Sequence, residues 1–338
     1  MRPLSLGCLT FAALLGLAMA GSAALANDTS AELSVGGLIL TRTADVALES
    51  EDLVISPELV TVRYRFLNRS AKPVTLTIAF PMPDIDLSAE KNLSIPQLGS
   101  ANYLGFETKV DGTPVQSAIE QNAFLGGDNV SDILRKAGLA LLPAGATEEA
   151  SFSTLSPAVR DQLLQRGLLL KSRIDDLGHQ FYQAGWTVKT AAVWQQTFPP
   201  GRPVIVEHRY HTSLGVSFDS VLRKGLRQHK ALAAEVEQYR KKYCIGSDFL
   251  ARLDRLTGAA EANTAGIQER RISYVLKTGA NWAGPIKDFR LTIDKQKPDR
   301  LLSFCPGQGR AISPTRVQFS AKDFTPTSDL NILLVGKF

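Results

Sequence analysis

The residues of this chain able to move protons or bind metals are four histidines and several acidic pairs. His208 and His211 lie in "VIVEHRYHTSL", which reads as a strand, so their odd separation sends them to opposite faces. They therefore do not ligate one metal together without a bulge. Glu207 and His211 share a face, where a carboxylate could orient an imidazole as a general base or form a purely structural pair. His179 and His229 stand alone. Asp84 and Asp86 follow a proline-rich strand end, and Asp175 and Asp176 precede Gly178. Glycosidase chemistry requires two carboxyls across a sugar-sized gap, whereas surface turns place acids together by default. The chain contains no GxSxG elbow, no HExxH, no GxxxxGK[ST] and no metal-spaced Cys/His cluster, which argues against the enzyme classes that carry them. No catalytic residue, metal or cofactor is expected.

A second candidate is the stretch "TGANWAGPI", which interrupts alternating apolar residues between Tyr274 and Phe289. Gly279 and Gly284 permit positive backbone angles, and Pro285 fixes re-entry into the next strand. Trp282 fits a plug that closes the end of a sandwich. The functional alternative makes Asn281, Trp282 and Gly284 a binding platform, with the indole stacking on a sugar ring or a partner side chain.

Compartment decides how the cysteines are read. Arg2, the apolar run Leu4–Ala20 and the small residues through Ala26 form the three parts of a secretory signal, so cleavage after Ala26 and a periplasmic location are expected. Cys8 leaves with the leader, and Cys244 and Cys305 remain as a pair in an oxidising compartment. A Cys244–Cys305 disulfide is predicted. The alternatives are two buried thiols or a redox site, although neither cysteine belongs to a CxxC motif. No later run reaches the length of a membrane span, so none is expected in the mature chain. Losing Arg2 lowers the formal charge of +5 by one, too mild an excess to imply nucleic acid.

The elements that would position these residues are mainly strands. In "LVTVRYRFLNRSAKPVTLTIAFPMPD", Val60, Val62, Tyr64 and Phe66 alternate with polar residues, as do Val74, Leu76, Ile78 and Phe80 after a turn at Asn68–Pro73, and this reads as a hairpin. Asp111-Gly112 signals a tight turn. Ser131 and Ser156 read as helix caps, with Gly138 and Gly167 as stops, while "VLRKGLRQHKALAAEVEQYRKKYC" reads as one amphipathic helix with a basic outer face. Ser247 and Gly258 bracket another helix. The fold class is mainly β, with sandwich-like layers and a helical insert, α+β overall. Its regions are a β-sandwich-like part at 27–116, a helical insert at 117–180, a hairpin region at 181–220, a helical segment at 221–257 and a C-terminal β part at 268–338. Arg202-Pro203-Val204 echoes Lys72-Pro73-Val74 and hints at two related β layers.

Five stretches carry a family resemblance: "NDTSAELSVGGLILTRTADVALESEDLVISPELVTVRYRFLNRSAKPVTLTIAFPMPDI", "VWQQTFPPGRPVIVEHRY", Tyr243-Cys244, "ISYVLKTGANWAGPIKDFRLTIDKQKPDRLLSFC" and "ISPTRVQFSAKDFTPTSDLNILL". In this order the chain resembles the bacterial exported family DUF4424, a domain of unknown function. The resemblance implies a bacterial cell-envelope protein and transfers no catalytic residue. Residues 60–84 also resemble the β-sandwich half of vault and inter-alpha-inhibitor type domains, a likeness bearing on fold alone. The function expected is a non-catalytic module that contacts an envelope protein or polymer. A periplasmic hydrolase using Glu207, His211 or a carboxylate pair, and a small-ligand carrier with an enclosed apolar cavity, are the alternatives.

Overall fold

The computed structural model describes residues 29–34, 37–88, 93–97, 99–143, 152–258, 266–305 and 309–338. The expected leader, with Cys8, lies outside them. The first sheet contains β1 (Thr29–Ser34), β2 (Gly37–Thr41), β5 (Val74–Pro81), β6 (Ile85–Asp86), β10 (Ala118–Leu125), β11 (Asp128–Asn129) and β14 (Thr187–Phe198). Its order is β11-β10-β14-β5-β1-β2, with β6 beside β14. The large sheet contains β3 (Val46–Ile55), β4 (Leu59–Asn68), β8 (Glu107–Val110), β9 (Thr113–Val115), β15 (Pro203–His211), β18 (Ile286–Asp294), β20 (Arg310–Ala311) and β21 (Arg316–Phe324). Its order is β20-β21-β18-β3-β4-β15-β8-β9, with β18 parallel to β3. The third sheet runs β19 (Leu301–Phe304), β22 (Leu330–Lys337), β17 (Ile267–Tyr274), β16 (Leu214–Ser217) and β7 (Leu93–Ser94). A separate pair joins β12 (Leu169–Ile174) to β13 (Gln180–Ala184). The chain is thus mainly β.

Alternation decides what the large sheet buries. Val60, Val62, Tyr64 and Phe66 of β4 point inward while Arg63 stays exposed. The inward side meets the first sheet through Phe66 on Phe198 at 5.7 Å and His208 on Trp194 at 5.4 Å between ring centroids. It also meets the third sheet, where the Tyr64 and Tyr274 hydroxyls lie 3.1 Å apart. The third sheet is covered on both faces. Leu330, Ile332 and Leu334 of β22 join the main core, and Leu333 and Val335 pack with Tyr243, Phe249 and Leu253 of the helical segment.

The expected hairpin at residues 60–80 is absent. β4 lies in the large sheet and β5 in the first, so the turn Asn68–Pro73 is an arch crossing between layers. Residues 198–203 form a second arch in the opposite direction, from β14 to β15, and the two stack because β4 pairs with β15 and β5 with β14. The physical reason is Asn68, which is fully buried. Its Nδ2 donates to Lys72 O at 2.7 Å and Phe198 O at 2.8 Å, and its Oδ1 accepts from Ser70 N at 2.9 Å. One side chain thereby clasps both arches.

The span 117–180 does contain helices, at Ser131–Lys136 and Pro157–Gln165, but it opens with strand β10 and ends with the β12–β13 pair. Ser156 caps its helix through Val159 N at 3.4 Å. Ser131 and Ser247 are instead the first residues of their helices, after Val130 and Gly246. Ser131 Oγ accepts from Ala123 N at 2.9 Å, so its oxygen serves the β10 backbone rather than its own helix. The basic helix is also broken, into Lys224–Arg227, a 3-10 turn Lys230–Leu232 and Ala233–Tyr243. Arg227 pins the first turn through two 2.6 Å bonds to Asp254, and His229 is extended between the pieces. Arg223 likewise binds Asp219, so part of the basic face serves the fold.

Candidate functional site

The loop carrying Asn281, Trp282 and Gly284 follows the plug reading. Trp282 is only 4% exposed and packs on Phe66 at 4.5 Å and Phe198 at 6.2 Å between centroids. An indole sealed against these rings offers no stacking face, so the platform expectation is corrected on Trp282. The backbone holds the loop down: Thr43 N donates to Asn281 O at 3.0 Å, and Ala283 N to Val46 O at 2.9 Å. Gly284 is exposed with φ +86, the conformation that lets the chain turn back into β18.

The histidines separate as alternation requires. His208 is buried, with Nδ1 3.1 Å from the Thr108 hydroxyl and rings of Tyr64, Phe80, Phe106 and Trp194 around it, while His211 faces out. Glu207 and His211 point to the same side but stand four strand residues apart, roughly 13 Å, far beyond proton-transfer reach. Glu207 pairs instead with Arg63 at 3.3 Å. The best hydrolase candidates are therefore not assembled. Asp175 closes its own turn by accepting from Leu177 N and His179 N. The His179 backbone bond, chiefly, lowers its pKa. Burial raises the pKa of Asp84 against the pull of Lys189, 3.3 Å away.

What the structure does assemble is a charged row on the outward face of the large sheet. Register places Lys109 opposite Glu207, Glu207 opposite Arg63, Arg63 opposite Asp52 and Asp52 opposite Arg290. The signs alternate + − + − + across β8, β15, β4, β3 and β18. Arg63–Glu207 and Arg290–Asp52 are ion pairs at 3.3 and 3.2 Å. Glu107 opposite Arg209 begins the next row, and both rows border a shallow groove of about 460 Å³ floored by Thr61 and Val54. Half-exposed pairs of this kind contribute little to stability, about 0–1 kcal/mol each, but they present a fixed pattern to a partner.

Two buried polar clusters flank the third sheet. Glu51, 1% exposed, lies 3.4 Å from the Tyr274 hydroxyl, which meets that of Tyr64, so a carboxyl and two phenols bridge the large and third sheets. Glu51 is in phase with Leu53 and Ile55 in the β3 sequence, a signal that could have marked it as inward. On the other side of the third sheet, Glu269 accepts from Ser220 and from Tyr239 at 2.9 Å and pairs with Arg271 at 3.3 Å. Burial raises the pKa values of both Glu269 and Tyr239. Ser220 and Glu269 are 1% and 2% exposed, so the cluster tethers the helical segment rather than meeting a substrate. Nearby the predicted disulfide joins Cys244, which ends helix Ala233–Tyr243 at φ 52, to Cys305 just past β19.

Among the described residues no group of acids, histidines and cysteines could hold a metal ion, and no helix is long and apolar enough to cross a membrane. No curated protein matches the chain. A candidate nutrient-binding protein of Legionella pneumophila is similar at 16% identity, over 91% of this chain and 72% of that one, with a TM-score of 0.41. An M1 zinc metallopeptidase mutant of Deinococcus radiodurans is similar at 9% identity, over 87% of this chain and 43% of that one, with a TM-score of 0.23. The family described as "Domain of unknown function (DUF4424)" matches residues 26–333, nearly the whole sandwich and its helical cover, and the chain belongs to that family.

Proposed function

We propose that the protein is an exported, non-catalytic binding module of the bacterial cell envelope that contacts a periplasmic protein or polymer through the outward face of the large sheet. The observation carrying this reading is the five-residue row Lys109, Glu207, Arg63, Asp52, Arg290, alternating in sign across five strands beside a groove. Complementary charge across an interface sets orientation and encounter rate more than raw affinity, so the partner presents its own alternating or mixed charges and binds less tightly as salt rises.

The test is quantitative pull-down from envelope extracts with wild type and the double variant Arg63→Gln/Arg290→Gln. Both side chains are more than half exposed, so the variant melts within about 2 °C of wild type. Recovery of a specific partner falls at least about tenfold with the variant, equivalent to about 1.4 kcal/mol. Equal recovery by the two folded proteins would remove the row as a binding face.

A further inference from the structure

Away from the charged row, a smaller pocket of about 210 Å³ opens beside the disulfide, lined by Arg252, Lys295, Arg300, Ser303 and Gly309 among others. Arg252 projects from helix Ser247–Thr257, while Lys295 and Arg300 bracket the turn between β18 and β19. Lys295 and Arg300 are only 8% and 5% exposed, an unusual burial for cations. Buried charges are ordinarily paired with opposite ones. Here the Lys295 ammonium donates to the carbonyls of Pro298 and Arg300. Arg300 donates to Lys295 O at 3.1 Å, Gln296 Oε1 at 2.9 Å and Lys337 O at 3.1 Å. All of these acceptors are neutral. Among the described residues neither cation has a carboxylate within ion-pairing distance, and the Arg300 guanidinium lies over the Phe338 ring, 3.8 Å from its centroid. Asp299 is exposed, and Glu58 lies 4.0 Å from Arg270. Burial lowers the pKa of Lys295, and the positive Arg252 lowers it further.

Gly309 lines the pocket, and Gly336 lies against the Arg300 stem. A Cβ on Gly309 would meet Val317 Cγ1 at 2.4 Å, and one on Gly336 would meet Arg300 Cγ at 3.0 Å, so both approaches depend on glycine. The volume is below the roughly 300–1,000 Å³ of sites for drug-sized ligands and suits a compact anion. Three cations lining one pocket match two negative charges better than one, and the forked guanidinium and point-charge ammonium are the usual donors to phosphoryl oxygens.

We infer that Arg252, Lys295 and Arg300 form a binding site for a phosphoryl dianion, either free phosphate or the phosphomonoester end of a larger molecule. The full chain is titrated calorimetrically with inorganic phosphate and, in parallel, with glycerol phosphate, in chloride buffer at constant ionic strength. Wild type binds phosphate saturably at one site. Arg252→Ala weakens it about tenfold, or about 1.4 kcal/mol. Lys295→Met weakens it further. Equal affinity for glycerol phosphate identifies an ester-linked source; binding of inorganic phosphate alone identifies the free ion. Arg252 is exposed, so its variant keeps the fold and decides the matter even if Lys295→Met does not fold. Absence of saturable binding of either anion to wild type, or unchanged affinity in Arg252→Ala, would overturn the site and reduce the cations to staples of the 295–300 turn. Neither result bears on the charged row, whose residues lie elsewhere.

Discussion

Truncating Trp282 to alanine separates an anchor from a binding platform. The indole is 4% exposed and contacts Phe66 and Phe198, the first on the large sheet and the second on the first sheet. Its removal leaves a cavity between the layers, a change that costs about 3–5 kcal/mol for a buried large aromatic. The loop backbone stays attached through Thr43 N and Ala283 N, so the loss arises from packing rather than loop release. At about 2 °C per kcal/mol, the low end for large domains, melting falls by about 6–10 °C. Scanning calorimetry measures this directly, and Trp282→Phe, which retains part of the ring contact, loses less than half as much. Partner recovery well below the melting temperature stays unchanged. A variant that melts within about 2 °C of wild type would refute the anchor. So would one that loses a partner while keeping wild-type stability.

Asn68→Ala strips the Phe198 carbonyl of its side-chain donor and the Ser70 amide of its acceptor, for a loss of about 2 kcal/mol in urea unfolding; a loss below about 0.5 kcal/mol would mean that the arches do not depend on this clasp. Hydrogen bonding from Arg227 lowers the pKa of Asp254, so the pair's contribution is fully present above the ordinary carboxylate value near 3.9 and is lost as pH falls through the lower folded value. Urea unfolding of wild type and Asp254→Asn should therefore differ by a constant amount of about 1 kcal/mol from pH 5 to 8, the gap closing below about pH 4. A gap that persists undiminished to about pH 3 would contradict this assignment.

Period-two alternation made the inward faces of β4, β5 and β15 legible, because burial on one side of a strand leaves a local trace. The Asp111-Gly112 turn was legible for a similar reason: both residues adopt positive φ and join β8 to β9 as a two-residue hairpin. Partner choice leaves no such trace. A turn of five or six residues with Asn and Pro suits a hairpin or an arch equally, and Asn68 decides between them through a carbonyl 130 positions away. The charged row was invisible for the same reason. Each member reads as an ordinary outward residue, and Asp52 meets Arg290 across 238 positions only through the parallel pairing of β3 with β18. The two cysteines were pairable once Cys8 was assigned to the expected leader. The loop at Trp282 sent conflicting signals, since glycine and proline suggest an exposed turn while the indole favours the interior, and its ring area prevailed.

The antiparallel pairing of β10 with β14, Phe124 opposite Thr187, makes everything from Gly126 to Trp186 an excursion from the tip of one hairpin. Its two ends are already neighbours. Closing a longer loop costs only about 0.6 kcal/mol for each doubling of length, so insertions confined to its exposed turn at Asp176–Gly178 cost little. The limit is set by the side chains that the excursion buries in the core, Leu134, Phe152, Leu163 and Leu169 among them, and by Trp186, whose indole donates to Leu141 O at 2.7 Å. Shortened versions that leave Trp186 without that acceptor should fold less well than those that remove the whole lobe together with the ring.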